Sequence, residues 1–538
     1  MSMIKPVRPE LLTLVSSVCL MAVFNLPLWR HLMEITSEDN RVLAFAFVSM
    51  LVCAFNAILA LLVGRRTLKP ILMFIFPVSA GAAWFMSKYG IVIDNGMFRN
   101  LAETDLKEVR DLLSLKFFWY MLLCGVVPAV VIWKLPIRYR AGLMGFTVSL
   151  LVALASGLLM VVVALSNYQG LASLLRNHHE LRLLVVPSNV IGAGLSYLNE
   201  QSVSSRQPFM QIAVDAHKVA AWRDHALPSL TVLVIGESAR ADNFGVLGYS
   251  RDTTPNLAQE EGVLAFGNVH SCGTETAVSV PCMFSDLGRR GYSASRAQNE
   301  EGLLDVLQRA GFRVLWLDNQ SGCKGTCARV GYRNLSQSTD PDNCDSECHD
   351  GILLRDLPDL LDHLTEHTVL VLHQMGSHGP DYYKRYPEGF EHFKPVCSSN
   401  ALDECSRESI INGYDNTIRY TDHLLASLID TLRSRQRQVD SAMIYLSDHG
   451  ESLGEYNLYL HGAPYMLAPD QQKHVPLIVW FSEGYKQASH LDSACLRLRQ
   501  GNAYTQDNLF HSMLGLLDIS TSAYNPALDL FAGCRGPA

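Results

Sequence analysis

The sequence predicts two parts, an N-terminal domain of five transmembrane helices and a C-terminal α/β domain. The chain has 538 residues, more than the roughly 250–300 at which single hydrophobic cores stop growing. Long uncharged apolar runs are confined to its first third, and the rest has an ordinary soluble composition. The net charge of −8, without a block of Lys and Arg, gives no reason to expect a nucleic-acid partner.

Five apolar segments are long enough to cross a bilayer. They are residues 11–28, 42–64, 71–93, 117–133 and 142–165. The last of these would rise about 36 Å as an α-helix, and the hydrocarbon core is about 30 Å thick. We expect the first segment to be retained rather than cleaved as a signal peptide, because four further apolar segments follow it.

Basic residues crowd two of the short loops between these segments. The positive-inside rule assigns such loops to the cytoplasm, and the opposite loops mix their basic residues with many acidic ones. We therefore expect the N-terminus in the cytoplasm, and five crossings then place everything after residue 165 outside. The basic residues on the predicted cytoplasmic side are Lys5, Arg8, Arg65, Arg66, Lys69, Lys134, Arg138 and Arg140.

Ten of the thirteen cysteines follow the last apolar segment. An even number outside the membrane predicts disulfides in an oxidising compartment, here the periplasm of a Gram-negative bacterium. The spacing suggests pairing Cys272 with Cys282, Cys323 with Cys327, Cys344 with Cys348 and Cys397 with Cys405, which leaves Cys495 with Cys534. The alternative is a zinc site formed by Cys323, Cys327, Cys344 and Cys348.

The pattern after the membrane segments indicates an α/β layered fold with a largely parallel sheet. Strands are predicted at residues 230–235, 263–269, 312–317, 368–372, 442–446 and 475–480, and helices at 300–309, 352–364, 408–433 and 506–517. The weakly periodic residues between them and the membrane segments are interpreted as a bridge. The predicted domains are 1–166 (transmembrane), 167–228 (bridging linker) and 229–538 (periplasmic).

Polar clusters follow several predicted strands, at the edge where such sheets bind ligands. Glu237 follows one apolar run, and Asp448 and His449 follow another. Carboxylate and imidazole groups together suit zinc. The alternative is a hydrogen-bonded turn of ordinary polar residues.

Thr276 lies in a small-residue stretch that opens a predicted helix. A helix N-terminus favours a phosphate, because it presents free N–H groups and the positive end of the dipole. A threonine hydroxyl is a weak nucleophile that a metal can activate. The alternative is that Thr274 or Thr276 merely caps the helix.

Two further histidines, His378 and His461, lie on glycine-flanked loops. Either could hold a second metal, bind phosphate oxygens or protonate a leaving group. The alternative is that both histidines are ordinary solvent-exposed loop residues. Lys324 is a candidate phosphate contact.

Four motifs together resemble the lipid A phosphoethanolamine transferase family, the type that confers polymyxin resistance. They are Gly236-Glu237-Ser238-Ala239-Arg240, residues 272–285, Gly376-Ser377-His378-Gly379-Pro380 and Ser447-Asp448-His449-Gly450-Glu451-Ser452-Leu453-Gly454. The resemblance covers essentially the whole chain and implies a C-terminal domain like that of alkaline phosphatases and sulfatases. It also implies one or two zinc ions, bound by Glu237, Thr276, Asp448 and His449, and Thr276 as the residue that becomes phosphoethanolaminylated.

The same resemblance implies further residue roles and partners. The residues are His378 and His461 at the transferred group or a second zinc, Lys324 and Ser321 near it, and Asn100 and Thr104 at the donor head group. Phosphatidylethanolamine is the implied donor and lipid A the implied acceptor, in a monomer surrounded by inner-membrane lipids. The alternatives are another envelope glycan acceptor, a membrane-bound phosphodiesterase or phosphatase, and a lipid-binding sensor without turnover. A sulfatase is not expected, because no Cys/Ser-x-Pro-x-Arg motif occurs.

Overall fold

The structure is a computed structural model that describes residues 5–36, 41–103, 112–204, 207–219, 222, 225–344, 347–400 and 402–536.

 The chain divides into two compact units. One comprises Met1–Phe98 and Leu113–Tyr197, and the other comprises Arg99–Leu112 and Leu198–Ala538.

The first unit is helical. In the part of the chain that the structure describes, four helices are long and apolar enough to cross a membrane, and the bent pair Pro9–Phe24 and Leu26–Ile35 supplies a fifth span if it is counted as one. The helices of this region are α1 (Pro9–Phe24), α2 (Leu26–Ile35), α3 (Arg41–Leu61), α4 (Leu68–Tyr89), α5 (Asn95–Glu103), α6 (Leu115–Lys134) and α7 (Gly142–Ser166).

The first predicted span is bent by 67° between α1 and α2. Asn25 lies at the break, and its side-chain amide donates to the carbonyls of Leu20 and Val186, each at 2.9 Å. Pro27 stands in the first turn of α2, where its missing N–H ends the hydrogen-bond ladder of α1. The bend therefore has two causes, Pro27 within the segment and the contact of Asn25 with the distant Val186, and the apolar run by itself does not reveal it.

The segment interpreted as a weakly periodic bridge is more helical than expected. It forms α8 (Tyr168–Asn177), a 3₁₀ turn at His179–Leu184 and α9 (Ser188–Ser204). Leu171 and Leu174 join the apolar cluster of the first unit, so packing stabilises a helix whose sequence pattern is weak. The domain boundaries at residues 166 and 228 stay a prediction.

The second unit is built on a mixed sheet, which confirms the predicted α/β layered fold. Numbered within this sheet, its eight strands among the described residues are β1 (Ser229–Gly236), β2 (Leu264–His270), β3 (Arg313–Asp318), β4 (Gly331–Asn334), β5 (Thr368–His373), β6 (Asp440–Ser447), β7 (His474–Phe481) and β8 (Tyr504–Thr505). They follow the order β8-β2-β7-β6-β1-β5-β3-β4 across the sheet.

Most neighbouring strands are parallel, as predicted, but β7 runs antiparallel to both β2 and β6. Every residue of β1, β5 and β6 is buried, as expected for central strands whose two faces are covered. The helices of this unit include Thr276–Met283, called α10 below, and Ala294–Asn299, Leu303–Arg309, Leu357–Asp362, Arg407–Ser434, Glu483–Ala488, Ser493–Leu498 and Asp507–Leu516.

All ten cysteines of the second unit are paired in disulfides. The bonds are Cys272–Cys282, Cys323–Cys327, Cys344–Cys348, Cys397–Cys405 and Cys495–Cys534. The alternative of a zinc site at Cys323, Cys327, Cys344 and Cys348 is wrong in this structure, because a sulfur bonded to another sulfur is not a thiolate ligand.

Candidate active site

The register of β1 and β6 brings two carboxylates together. Gly236 pairs with Ser447 in this parallel pair, so Glu237 and Asp448 both follow at the carboxyl edge. Both side chains are fully buried. Gly236 is required here, because a Cβ would lie 2.3 Å from the hydroxyl oxygen of Tyr445.

Hydrogen bonds fix the orientation of Asp448 and His449. Asp448 Oδ1 accepts from the backbone N–H groups of Ser238 at 3.1 Å and His449 at 2.6 Å. His449 Nδ1 lies 2.9 Å from the Gly450 carbonyl, so Nδ1 donates and Nε2 keeps its lone pair. This Nε2 lies 3.2 Å from Asp448 Oδ2 and 3.4 Å from Glu237 Oε1. Burial lowers the pKa of His449 well below its usual value, which keeps the imidazole neutral.

Thr276 faces the same group of side chains. Its hydroxyl donates to Glu237 Oε2 at 3.0 Å, and its Oγ1 lies 3.4 Å from His449 Nε2. Thr276 is the first residue of α10, so the positive end of the helix dipole lies beside its hydroxyl. The arrangement joins a buried alcohol to two carboxylates and a neutral imidazole.

Neither candidate threonine caps α10, so the capping alternative is wrong. The N-cap residue is Glu275, and it makes no side-chain cap hydrogen bond. Thr274 Oγ1 donates instead to the carbonyl of Ala463 at 2.6 Å. The side chain of Thr276 is therefore available to the polar cluster.

The residues present fit a divalent cation such as zinc. One ligand atom from each of Glu237, Asp448 and His449 lies within 4.8 Å of the others. Asp448 Oδ2 is buried and has no hydrogen-bond partner among the described residues. Burial raises the pKa of both carboxyl groups, and the charge of Asp448 adds to the rise at Glu237. A cation bound by this oxygen and nitrogen set, with the Thr276 hydroxyl, would offset that unfavourable burial of charge.

The two loop histidines lie beside this cluster rather than in solvent. The ring of His461 is 4.4 Å from that of His449 and 5.3 Å from that of His378, measured between centroids. Burial opposes the charge on His461, but Glu451, 3.3 Å from its Nδ1, and the two other carboxylates outweigh burial and raise its pKa to about 9. Burial lowers the pKa of His378 well below its usual value. The pair thus combines an imidazolium with a neutral imidazole.

Lys324 and Ser321 are connected to the cluster through Gln320. Lys324 Nζ donates to Ser321 Oγ at 2.8 Å, and Ser321 Oγ donates to Gln320 Oε1 at 2.5 Å. Gln320 Nε2 donates in turn to Glu237 Oε2 at 2.9 Å. This chain of contacts brings a cationic side chain to the rim of the cluster.

The two residues predicted to bind the donor head group, Asn100 and Thr104, are not among the residues that form the cluster described above. Asn100 lies in α5, and Thr104 lies outside the described residues. Their role in donor binding stays a prediction.

Two supporting residues were not predicted from the sequence. Glu451, in contrast, belongs to the Ser447-Asp448-His449-Gly450-Glu451 motif already predicted from its metal-ligand residue types. Gln320 is adjacent to Ser321, but an isolated amide carries no spacing pattern. Gln506, which is fully buried and donates to the Asp448 carbonyl at 2.6 Å, had no signal of any kind.

Comparisons with known proteins cover both parts of the chain. A model of the family described as phosphoethanolamine transferase EptA/EptB matches residues 51–202, and a sulfatase family model matches residues 229–519. Phosphoethanolamine transferase EptA of Salmonella typhimurium is 41% identical over 96% of this chain and 95% of its own. Phosphatidylethanolamine transferase Mcr-1 of Escherichia coli is 35% identical over 96% of each chain.

A solved structure extends the likeness to both units. The integral membrane protein lipooligosaccharide phosphoethanolamine transferase A of Neisseria meningitidis has a TM-score of 0.95 and 34% identity, covering 99% of this chain and 100% of that one. The apolar helices belong to the inner membrane of a Gram-negative bacterium, and the C-terminal domain is periplasmic. The resemblance seen in the motifs is confirmed, and the chain belongs to the phosphoethanolamine transferase EptA/EptB family.

Proposed function

We propose that this chain is a zinc-dependent enzyme that transfers phosphoethanolamine from phosphatidylethanolamine to a phosphate of lipid A, through a covalent intermediate on Thr276. The observation that carries the proposal is the hydrogen bond from the Thr276 hydroxyl to Glu237 Oε2, 3.0 Å long, within a cluster that fits a metal. The relatives are named for phosphoethanolamine or phosphatidylethanolamine transfer.

In the first step, Thr276 Oγ attacks the phosphorus of the donor. Glu237 accepts the hydrogen bond of this hydroxyl and is placed to receive its proton as the Oγ–P bond forms. The bond from phosphorus to the glycerol oxygen breaks, and diacylglycerol leaves with a proton for which the His461 imidazolium is a source. Bound zinc would supply positive charge that offsets the charge developing on the phosphoryl group.

In the second step, an oxygen of the acceptor phosphate attacks the same phosphorus. The P–Oγ bond breaks, Glu237 returns its proton to Thr276 Oγ, and His461 regains a proton from the acceptor phosphate. Lys324 is the cationic side chain that we assign to the phosphoryl oxygens, because its contacts with Ser321 connect it to Gln320 and Glu237. The product carries an added amine, which lowers the negative charge of the outer membrane and weakens polymyxin binding.

Mass spectrometry of the protein tests the covalent step. We expect the full chain, incubated with phosphatidylethanolamine and no acceptor, to carry phosphoethanolamine on Thr276. Thr276→Ala should carry none, and Thr276→Ser, which keeps a hydroxyl, should carry it on the new side chain. An unmodified wild-type peptide after turnover of the donor would overturn the covalent intermediate.

Product analysis with labelled donor separates transfer from the alternatives. We expect lipid A to gain the label and free phosphoethanolamine to stay low. Equal release of phosphoethanolamine with and without lipid A would instead identify a phosphodiesterase. Labelling of another phosphorylated envelope glycan, with lipid A unlabelled, would leave the chemistry intact and change the acceptor.

A further inference from the structure

A cavity of about 230 Å³ lies in the first unit, and its lining residues all precede the residues of the catalytic cluster in the sequence. The start of α1, the end of α3 and the start of α7 form its walls. All of its lining residues belong to the first compact unit. The basic residues of these loops assign this end of the helices to the cytoplasmic surface.

The inner wall of the cavity is polar and carries two guanidinium groups. Arg140 pairs with Glu10 at 2.8 Å, and Arg65 is exposed and makes no ion pair among the described residues. The hydroxyl of Tyr139 is buried and has no hydrogen-bond partner in the described part of the chain. With one carboxylate against two guanidinium groups, the cavity has a net positive charge.

The outer wall of the cavity is apolar and faces away from the protein. Leu61, Phe146 and Leu150 line it, and they are 60%, 65% and 37% exposed. On membrane helices such exposed side chains contact acyl chains. The cavity therefore joins a cationic inner end to a surface suited to lipid tails.

Backbone hydrogen bonds hold the polar wall in place. The N–H of Val7 donates to the Pro136 carbonyl at 2.9 Å, and the N–H of Arg138 donates to the Val7 carbonyl at 2.9 Å. These bonds join the segment before α1 to the loop that carries Tyr139 and Arg140. The site is thus largely formed without a ligand, which lowers the ordering cost of binding.

We propose that this cavity binds the phosphodiester head group of an anionic phospholipid from the cytoplasmic leaflet. A net positive site suits a head group with one negative charge, and the Tyr139 hydroxyl and Arg65 supply donors for phosphate oxygens. Phosphatidylethanolamine fits less well, because its ammonium group would meet the guanidinium groups. The inference does not depend on the catalytic proposal.

Native mass spectrometry of the full chain in a neutral detergent tests this site. We expect one phosphatidylglycerol to bind with preference over phosphatidylethanolamine of the same acyl chains. The test compares two double variants that remove equal charge, Arg65→Gln/Arg140→Gln and, as the control, Arg66→Gln/Arg138→Gln. Only the arginines of the first variant line the cavity. The first variant should bind phosphatidylglycerol at least about tenfold more weakly than the second, because it removes charged donors within reach of the phosphate.

A second variant guards against loss of folding in the first. Tyr139→Phe keeps the charge and the ring, and we expect it to weaken phosphatidylglycerol binding by about threefold or more. Equal affinities in wild type and Tyr139→Phe, or equal losses in the two double variants, would overturn the site. Glycerol phosphate, which lacks acyl chains, should compete poorly. Competition by glycerol phosphate at the concentration of the lipid would overturn the assignment to a lipid.

Discussion

Gln506 Oε1 accepts a hydrogen bond of 2.7 Å from the backbone N–H of Cys272, four residues before Thr276. The Nε2 of the same side chain donates to the carbonyls of Ser447 at 2.7 Å and Asp448 at 2.6 Å. One buried amide therefore joins the segment that carries the proposed nucleophile to the turn that carries two proposed metal ligands.

Gln506→Leu should impair both stability and turnover. The substitution nearly preserves volume but leaves three buried backbone groups without this partner, at a cost of about 3 kcal/mol or more. We expect a lower melting temperature of the full chain and a lower kcat with little change in KM. Gln500→Leu is the control, since the Gln500 side chain makes one hydrogen bond within the described part of the chain, to the Ala265 carbonyl. Wild-type kcat in Gln506→Leu would show that the amide does not position the site.

The positions of Glu237 and Asp448 could be predicted because each follows an apolar run that reads as a strand. Neighbouring parallel strands end at the same edge of a sheet. The apolar strand pattern and the polar residues that follow it are therefore enough to predict that Glu237 and Asp448 lie close together. The antiparallel β7 could not be predicted in this way, because the residues of a buried strand do not encode its direction.

Other features depend on contacts between residues far apart in sequence. Gln506 is 234 positions from Cys272, and no motif relates them. The bend at Asn25 depends on Val186, which is 161 positions away. Neither contact leaves a periodic pattern, so reasoning from local sequence does not find them.

Loss of either proposed carboxylate ligand should remove bound zinc together with activity. Asp448→Asn and Glu237→Gln keep the size of the side chain but remove the charge that a divalent cation needs. We expect elemental analysis of the purified full chain to show a large loss of zinc in both variants. The bound ion also stabilises the fold by mass action, so zinc should raise the melting temperature of wild type more than that of either variant.

A buried acid away from the cluster provides the control for these variants. Asp422 accepts hydrogen bonds from the backbone of Asn256 and Leu257. Asp422→Asn should keep its zinc while losing some stability. Full zinc occupancy in both Asp448→Asn and Glu237→Gln would contradict the assigned ligands.

The disulfides should contribute unequally to stability. Cys495 and Cys534 are 39 positions apart, whereas Cys344 and Cys348 are 4 apart. The longer loop restricts the unfolded chain more, which predicts losses of about 4 and about 2 kcal/mol when each pair is replaced by serine. Melting temperatures of the two double variants measure the difference. An equal or reversed order would contradict the loop-length argument.

His474 lies between two acceptors and should make the stability of the domain depend on pH. Its Nδ1 lies 2.8 Å from Asp242 Oδ1, and its Nε2 contacts the Gly267 carbonyl. Both ring nitrogens therefore donate, and the ring is an imidazolium. The hydrogen bond to Asp242 raises the pKa of His474, and the same bond lowers the pKa of Asp242.

The ion pair should stabilise the fold most between the unfolded pKa values, about 3.9 for Asp and about 6.5 for His. As pH rises through the raised pKa of folded His474, its proton and the stabilisation are lost together. His474→Gln should therefore cost about 1 kcal/mol near pH 6 and less near pH 9. His363→Gln is the control, because His363 is exposed and its Nδ1 contacts the carbonyl of Asp359 rather than a carboxylate. If the melting temperature of His474→Gln depends on pH as that of wild type does, the ion pair of His474 and Asp242 does not cause the pH dependence of stability.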